Sequence, residues 1–299
     1  MLWPFEIHQA KSVAAASKLV GTYGDDCAFY AGGTELLLVM KEGLVRYKHL
    51  IDLKTIKPLG KIAYDAAAQI LHIGGTATHT AVQHHAAVRR HFPLISEVEN
   101  VVANVRVRNV GTLGGNLCFA EPHADPGTLF LIFDAEVELS SASDSRRVPM
   151  TQFFVGPFET VRRADEVLTR ISIKRWDEHT RGGYVKFGYH ERPTLGVAAA
   201  ITVDASREHV VDARIAVGCV GPTPARIDGA EERLRGIALA DVDRALEEAS
   251  TVAGDRIDAV SDLHGSAEYK KEMVKVFVRR AVRAARAKFD ATPRKGARR

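Results

Sequence analysis

Apolar residues recur along this chain at two spacings, and the alternation between them outlines its elements. "SVAAASKLVGTYG" has helical spacing, with Ser12 placed to cap it and Gly24 to end it. "CAFYAGG" reads as a short buried strand ending in glycines, "ELLLVMKEG" as a second helix and "HLIDL" as another strand. Strand, helix and strand at this spacing predict a small parallel unit. From about Pro58 the texture changes. "KIAYDAAAQILHIGGTATHTAVQ" predicts a strand pair before a helix, and "VELSSASDSRRVPMTQFF" and "EVLTRISIKRW" continue in short alternating segments with polar turns. This middle region is expected to be α+β with a largely antiparallel sheet. After Trp176, "GGYVKFGYH", "LGVAAAITVDA" and "VVDARIAVGCVGPTPARI" predict three further strands, and helices are expected to begin near Gly229, Leu239 and Ala267. The expected domain junction lies between Trp176 and Gly183.

The last helix is amphipathic. Met273, Val274, Phe277, Val278, Ala281, Val282 and Ala285 recur at helical spacing between Lys and Arg residues, which predicts a solvated basic face followed by a basic tail over 291–299. Much of the net charge of +4 sits there, and no nucleic-acid-binding motif accompanies it, so nucleic acid is not the expected partner. With 299 residues, 46% hydrophobic and 26% charged, the chain can bury more than one core. No apolar run approaches the roughly 18–20 residues of a membrane span, and "MLWPFEIHQAKS" lacks the pattern of a secretion signal, so a cytoplasmic protein is expected. The three cysteines, Cys27, Cys118 and Cys219, are far apart and form no CxxC pair. An iron–sulfur cluster usually takes four thiolates, so the chain is not expected to carry one alone.

The candidate chemistry lies in glycines. "AGGTEL", from Ala31 to Leu36, is neither GxGxxG nor a P-loop. Paired glycines before a helix leave backbone N–H groups uncovered, which favours an anion, with Thr34 adding a hydroxyl; the same residues also make a plain turn. "RNVGTLGGNLCFAEPHADP", from Arg108 to Pro126, holds a second pair framed by Thr112 and Asn116. Two such loops, about 80 residues apart, could bracket one pyrophosphate from both sides.

Other segments carry blander expectations. His79, His84, His85 and His91 crowd one stretch without a zinc-helix spacing and are expected on a solvated helix face. Glu121, His123 and Asp125 lie in a row without an indicated nucleophile, which favours loop structure and cofactor contact over acid–base catalysis. Cys118 is expected to be a packing residue. Lys186, between aromatic neighbours on a strand, is either a solvated lysine or a buried amine. No catalytic residue and no metal site is expected.

"YAGGTELL", "TLGGN" with "ADP" just downstream, and "YVKFG" together resemble the FAD-binding medium subunit of molybdenum hydroxylases, the family of xanthine dehydrogenase and aerobic carbon monoxide dehydrogenase. The resemblance extends over nearly the whole chain, to "SAEYKKEMVKVFVRRAV". It implies an α+β fold: an FAD-binding domain of the vanillyl-alcohol-oxidase type in two subdomains, 1–57 and 58–176, then a smaller antiparallel sheet with helices over 177–290. It implies that Ala31, Gly32, Gly33, Thr34, Glu35, Leu36 and Leu37 wrap the diphosphate of FAD. Thr112, Leu113, Gly114, Gly115 and Asn116 would complete the phosphate and ribityl cradle, with Asp125 at the sugar. Val102 would line the flavin region, and Leu168 and Lys186 would reach the isoalloxazine. Where carbon-monoxide-type members have a tyrosine over the ring, this chain has Thr194.

The family further implies an electron-transfer subunit. It would pass electrons from an iron–sulfur small subunit to an external acceptor, with a molybdopterin large subunit oxidising the substrate, in a dimer of heterotrimers. The competing expectation is a self-sufficient flavin-dependent oxidoreductase of the same fold, such as UDP-N-acetylenolpyruvoylglucosamine reductase. A scaffold binding no flavin is the third.

Overall fold

In the computed structural model, which describes residues 2–188 and 192–290, the first helical pattern becomes α1 (Val13–Tyr23). The Ser12 hydroxyl accepts the Ala15 N–H at 3.1 Å, and Gly24 closes the helix with positive φ. The neighbouring elements are β1 (Glu6–Gln9), β2 (Cys27–Tyr30), α2 (Leu36–Lys41) and β3 (His49–Asp52). The strands form a parallel sheet in the order β1-β3-β2. Ala16, Cys27, Ile51 and Leu53 are buried together beneath α1.

The middle region has β4 (Ile62–Asp65) and β5 (Ile70–Gly74), then α3 (His79–His84), α4 (Ala86–His91), α5 (Pro93–Glu99), α6 (Val105–Val110), α7 (Leu113–Phe119) and α8 (Asp125–Ile132). It continues with β6 (Glu136–Ser140), β7 (Ser145–Pro149), the short pair β8 (Phe154–Gly156) and β9 (Glu159–Thr160), and β10 (Val167–Lys174). The antiparallel sheet has the order β4-β5-β10-β6-β7, so β10 is drawn into its centre from far along the chain.

The C-terminal region has β11 (Thr180–Phe187), β12 (Leu195–Val203), β13 (Val210–Gly218) and β14 (Ala225–Arg226) in one antiparallel sheet, then α9 (Asp228–Glu232), α10 (Val242–Arg256) and α11 (Ala267–Asp290). The apolar stripe of α11 is buried on this sheet: Val274, Phe277, Val278, Ala281, Val282 and Ala285 join Val197, Ala199 and Ile215 in one core. Its basic face is only partly solvated. Arg279 pairs with Glu247 at 2.7 Å, Arg283 with Asp243 at 2.7 Å, and Arg286 also reaches Asp243, so acids on α10 hold three of the cations. The tail over 291–299 lies outside the described residues.

Two compact units are formed. One comprises Met1–Pro126 and Asp134–Arg175, the other Gly127–Phe133 and Trp176–Arg299. The chain is therefore α+β throughout, with a C-terminal antiparallel sheet carrying helices.

Glu166, fully buried before β10, anchors the first unit's antiparallel sheet. Its carboxylate accepts Arg146 Nε at 2.8 Å and Nη2 at 3.0 Å, and the Arg163 N–H at 2.7 Å. Burial alone would raise its pKa, but the Arg146 hydrogen bond, the Arg163 amide and both guanidinium charges outweigh it, and the folded value lies below the ordinary one. A depressed folded pKa contributes stability in full above the unfolded value of about 4.3, and that contribution is lost as pH falls through the folded value. Glu166→Gln should therefore cost about 1–3 kcal/mol near neutral pH. In urea unfolding at a series of pH values, the gap from wild type should close below pH ~4.

Candidate functional site

The first glycine segment leaves the C-terminal end of β2 and enters α2. Ala31, Gly32, Gly33, Thr34 and Glu35 form the turn, while Leu36 and Leu37 open the helix. Gly33 has φ +75°, a conformation that L side chains rarely adopt, and a Cβ there would lie 2.4 Å from the Tyr30 ring. Gly32 is glycine for another reason. A Cβ on it would lie 2.3 Å from the Val110 carbonyl oxygen and 2.6 Å from Gly111 Cα. The two glycine segments thus pack backbone against backbone.

Lys54 fixes the turn's orientation. Its Nζ donates to the Ala31 carbonyl at 3.0 Å, pairs with Asp52 at 2.9 Å and stands 3.6 Å over the Tyr30 ring. In a trans peptide, C=O and N–H point in opposite directions, so a carbonyl held by Lys54 turns the Gly32 N–H away from it. Among the described residues, no protein acceptor meets the amides of Gly32, Gly33 or Thr34.

The second segment is built differently. The Thr112 hydroxyl caps α7 by accepting the Gly115 N–H at 3.1 Å, Leu113 N donates to Ala77 at 2.9 Å, and Gly114 N donates to Gly75 at 3.1 Å. These amides are engaged within the protein. What this segment offers is a side chain: among the described residues, Asn116 Oδ1 is buried without a hydrogen-bond partner. A third glycine pair, "IGGT" at Ile73–Thr76, repeats the "AGGT" of Ala31–Thr34 and stacks behind. A Cβ on Gly114 would lie 2.5 Å from the Gly75 oxygen, and one on Gly75 would lie 2.0 Å from the Leu168 oxygen. Leu168 on β10, Gly75 and Gly114 are therefore in one backbone stack.

Val102 is buried in the turn between α5 and α6, where Arg108 Nη1 donates to its carbonyl at 2.9 Å and to that of Ala103 at 3.2 Å. Asp125 is buried at the start of α8. His123 Nδ1 lies 2.9 Å from Glu121 Oε1 in the turn before it. Lys186 belongs to the second unit, on β11 opposite Gly196, and is buried rather than solvated. Thr194 is buried in the same unit, its N–H donating to the Phe187 carbonyl at 2.9 Å.

The histidine-rich stretch departs from the solvated face expected of it. His84 is exposed, but His79 is buried against the fully buried Glu99, with Nδ1 and Oε2 2.6 Å apart. The cause is the bridge from Thr78 to Thr112, which turns the start of α3 inward, and the His79 N–H donates to the Gly111 carbonyl at 3.1 Å. Lys54, Arg108 and Gly75 support the glycine segments without being singled out in the sequence, and His79, expected on a solvated face, supports them from a buried position. Only Gly75 had a local signal, the repeated "GGT".

Open amides, that of Gly32 turned away from Lys54, and an orphaned buried amide oxygen suit a ligand with an anionic part and hydroxyl donors. Residues 3–176 match the family of the FAD binding domain in molybdopterin dehydrogenase, and residues 191–285 match the CO dehydrogenase flavoprotein C-terminal domain. The carbon monoxide dehydrogenase medium chain of Hydrogenophaga pseudoflava is 31% identical over 281 residues, 94% of this chain and 96% of that one. The xanthine dehydrogenase FAD-binding subunit of Escherichia coli O157:H7 is 30% identical over 236 residues, 78% of this chain and 80% of its own. The solved carbon monoxide dehydrogenase from H. pseudoflava superposes with a TM-score of 0.91 at 31% identity, covering 96% of this chain and 99% of that one.

Proposed function

Because the chain belongs to the FAD-binding medium subunits of the molybdenum hydroxylase family, we propose that it takes electrons from the iron–sulfur clusters of a small partner subunit and delivers them to an external acceptor. The observation that carries the site assignment is the combination, among the described residues, of amides at Gly32, Gly33 and Thr34 that meet no protein acceptor with an Asn116 Oδ1 that meets no donor. Bound FAD supplies the chemistry, accepting two electrons and releasing them singly or together.

The protein's part is to bind and orient. Ala31 through Leu37 hold the diphosphate, with Lys54 fixing the peptide that presents the first amide. Thr112, Leu113, Gly114 and Gly115 serve as backing: their hydrogen bonds keep α7 in place so that Asn116 can accept from a ribityl hydroxyl. Asp125 is assigned to the sugar, and Val102 and Leu168 to the isoalloxazine region. Residues 1–57 and 58–176 act as the two FAD-binding subdomains and 177–290 as the C-terminal flavoprotein domain. A molybdopterin large subunit would oxidise the substrate, in a dimer of heterotrimers. No helix among the described residues is long and apolar enough to cross a membrane, and a cytoplasmic location fits this reading. The self-sufficient flavoenzyme is disfavoured because the family it shares a fold with works through partner subunits.

The flavin is held without a covalent link. Cys118, the cysteine nearest the second glycine segment in sequence, has its thiol pushed up to about 11 by burial, against a smaller opposing pull from Arg162. At neutral pH it stays protonated and is a poor nucleophile. Acid precipitation of the purified protein should release one FAD per chain into the supernatant. Flavin left in the pellet, or flavin-free protein from cells grown with riboflavin, would contradict this.

A further inference from the structure

The first sheet brings together three side chains that have no part in the flavin site. His8 on β1 and His49 on β3 lie on neighbouring parallel strands, with His8 Nε2 and His49 Nδ1 3.1 Å apart. Glu6, paired in register with His49, places its Oε2 3.5 Å from His49 Nδ1 and 3.7 Å from His8 Nε2. We propose that Glu6, His8 and His49 form a binding site for a divalent transition-metal ion of the zinc type, stapling the edge strand β1 to the central strand β3.

The argument is geometric. With Zn–N and Zn–O bonds of about 2.0–2.2 Å, a tetrahedral site has ligand-to-ligand edges of about 3.3–3.6 Å. The three edges here, 3.1, 3.5 and 3.7 Å, bracket that range. An octahedral ion at similar bond lengths needs neighbouring ligands only about 2.9 Å apart and prefers oxygen donors. Two imidazole nitrogens and one carboxylate oxygen are the donor set that Zn²⁺ accepts, with a fourth position left for water.

The ligands are also preorganised. Tyr23 stacks on His49 with ring centroids 3.9 Å apart and on His8 at 4.8 Å, so packing limits how far either imidazole can turn. Parallel pairing fixes the backbone register beneath them. The histidine side chains are about one-fifth exposed and the Glu6 side chain is 73% exposed, which leaves an open approach for an aqueous ion. Binding requires both facing nitrogens to be free of protons, so each neutral ring carries its proton on the other nitrogen: Nδ1 in His8 and Nε2 in His49.

The competing account is a plain hydrogen bond between the two rings, with Glu6 nearby in water. Titration of the chelator-stripped, FAD-loaded protein with Zn²⁺ distinguishes them. Wild type should bind one ion per chain through this cluster. His8→Gln should weaken that event by at least the roughly 10- to 100-fold that changes outside the ligand shell already cost, and Glu6→Gln should weaken it as well. Zn²⁺ should raise the melting temperature of wild type and leave that of His8→Gln unmoved, while both proteins retain equal FAD. Co²⁺ should give the strong visible bands of a four-coordinate ion in wild type only. If His8→Gln disturbs folding, Glu6→Gln, altered at an exposed side chain, decides through the same titration. Equal Zn²⁺ affinity in wild type and both variants, or no saturable binding in wild type, would overturn the proposal.

Discussion

Gly32→Ala should strip the protein of most of its FAD. The added Cβ would meet the Val110 carbonyl oxygen at 2.3 Å and Gly111 Cα at 2.6 Å, and both are backbone atoms that no rotamer change can move aside. The two glycine segments would have to separate, carrying the Gly32–Thr34 amides away from Asn116. Overpacking of this kind costs roughly 1–3 kcal/mol. If that cost falls on the bound geometry, affinity drops about 5- to 150-fold. Gly33→Val should do the same for a different reason, because φ +75° is hostile to a β-branched residue and Tyr30 occupies the space. Leu38→Ala, at an exposed position on α2, is the control that should retain flavin. Fluorescence titration of the apoproteins with FAD measures the effect, and thermal melts of the same apoproteins separate it from unfolding. Full occupancy in Gly32→Ala would remove the first segment from the cradle.

Much of this fold was legible because local pattern and final burial agree. Ser12 and Gly24 bracket α1, and the apolar stripe from Val274 to Ala285 is the face that α11 buries. β1 was not legible: "EIHQ" has one apolar residue, and only pairing with β3 makes it a strand. The glycine pairs stood out because glycine has few other reasons to recur beside threonine. Which amides remain open could not be read from them, since that depends on Ala77 and Gly75, which meet the second segment only in the folded chain. In sequence Gly32 reads as a bare donor; in the fold it is also a packing residue. His79 reads in sequence as part of a polar helix face because its partner Glu99 lies two helices further on, at the end of α5. Lys186 was ambiguous for a related reason, since strand alternation alone does not say which side of β11 is covered.

Division of labour between subunits is the central claim, and it carries the other large expected effect. The three cysteines cannot supply the ligands of two iron–sulfur clusters, and the glycine segments suit a flavin. The isolated, FAD-loaded chain should accept electrons from an artificial reductant and pass them to a dye, yet show no turnover of the substrate that its native complex oxidises. Turnover should return when the iron–sulfur and molybdenum subunits are added. Anaerobic stopped-flow absorbance of the flavin, after mixing with that substrate, tests this most directly. The account predicts no flavin bleaching in the isolated chain and rapid bleaching in the assembled complex; rapid bleaching of the isolated chain by the substrate would contradict it.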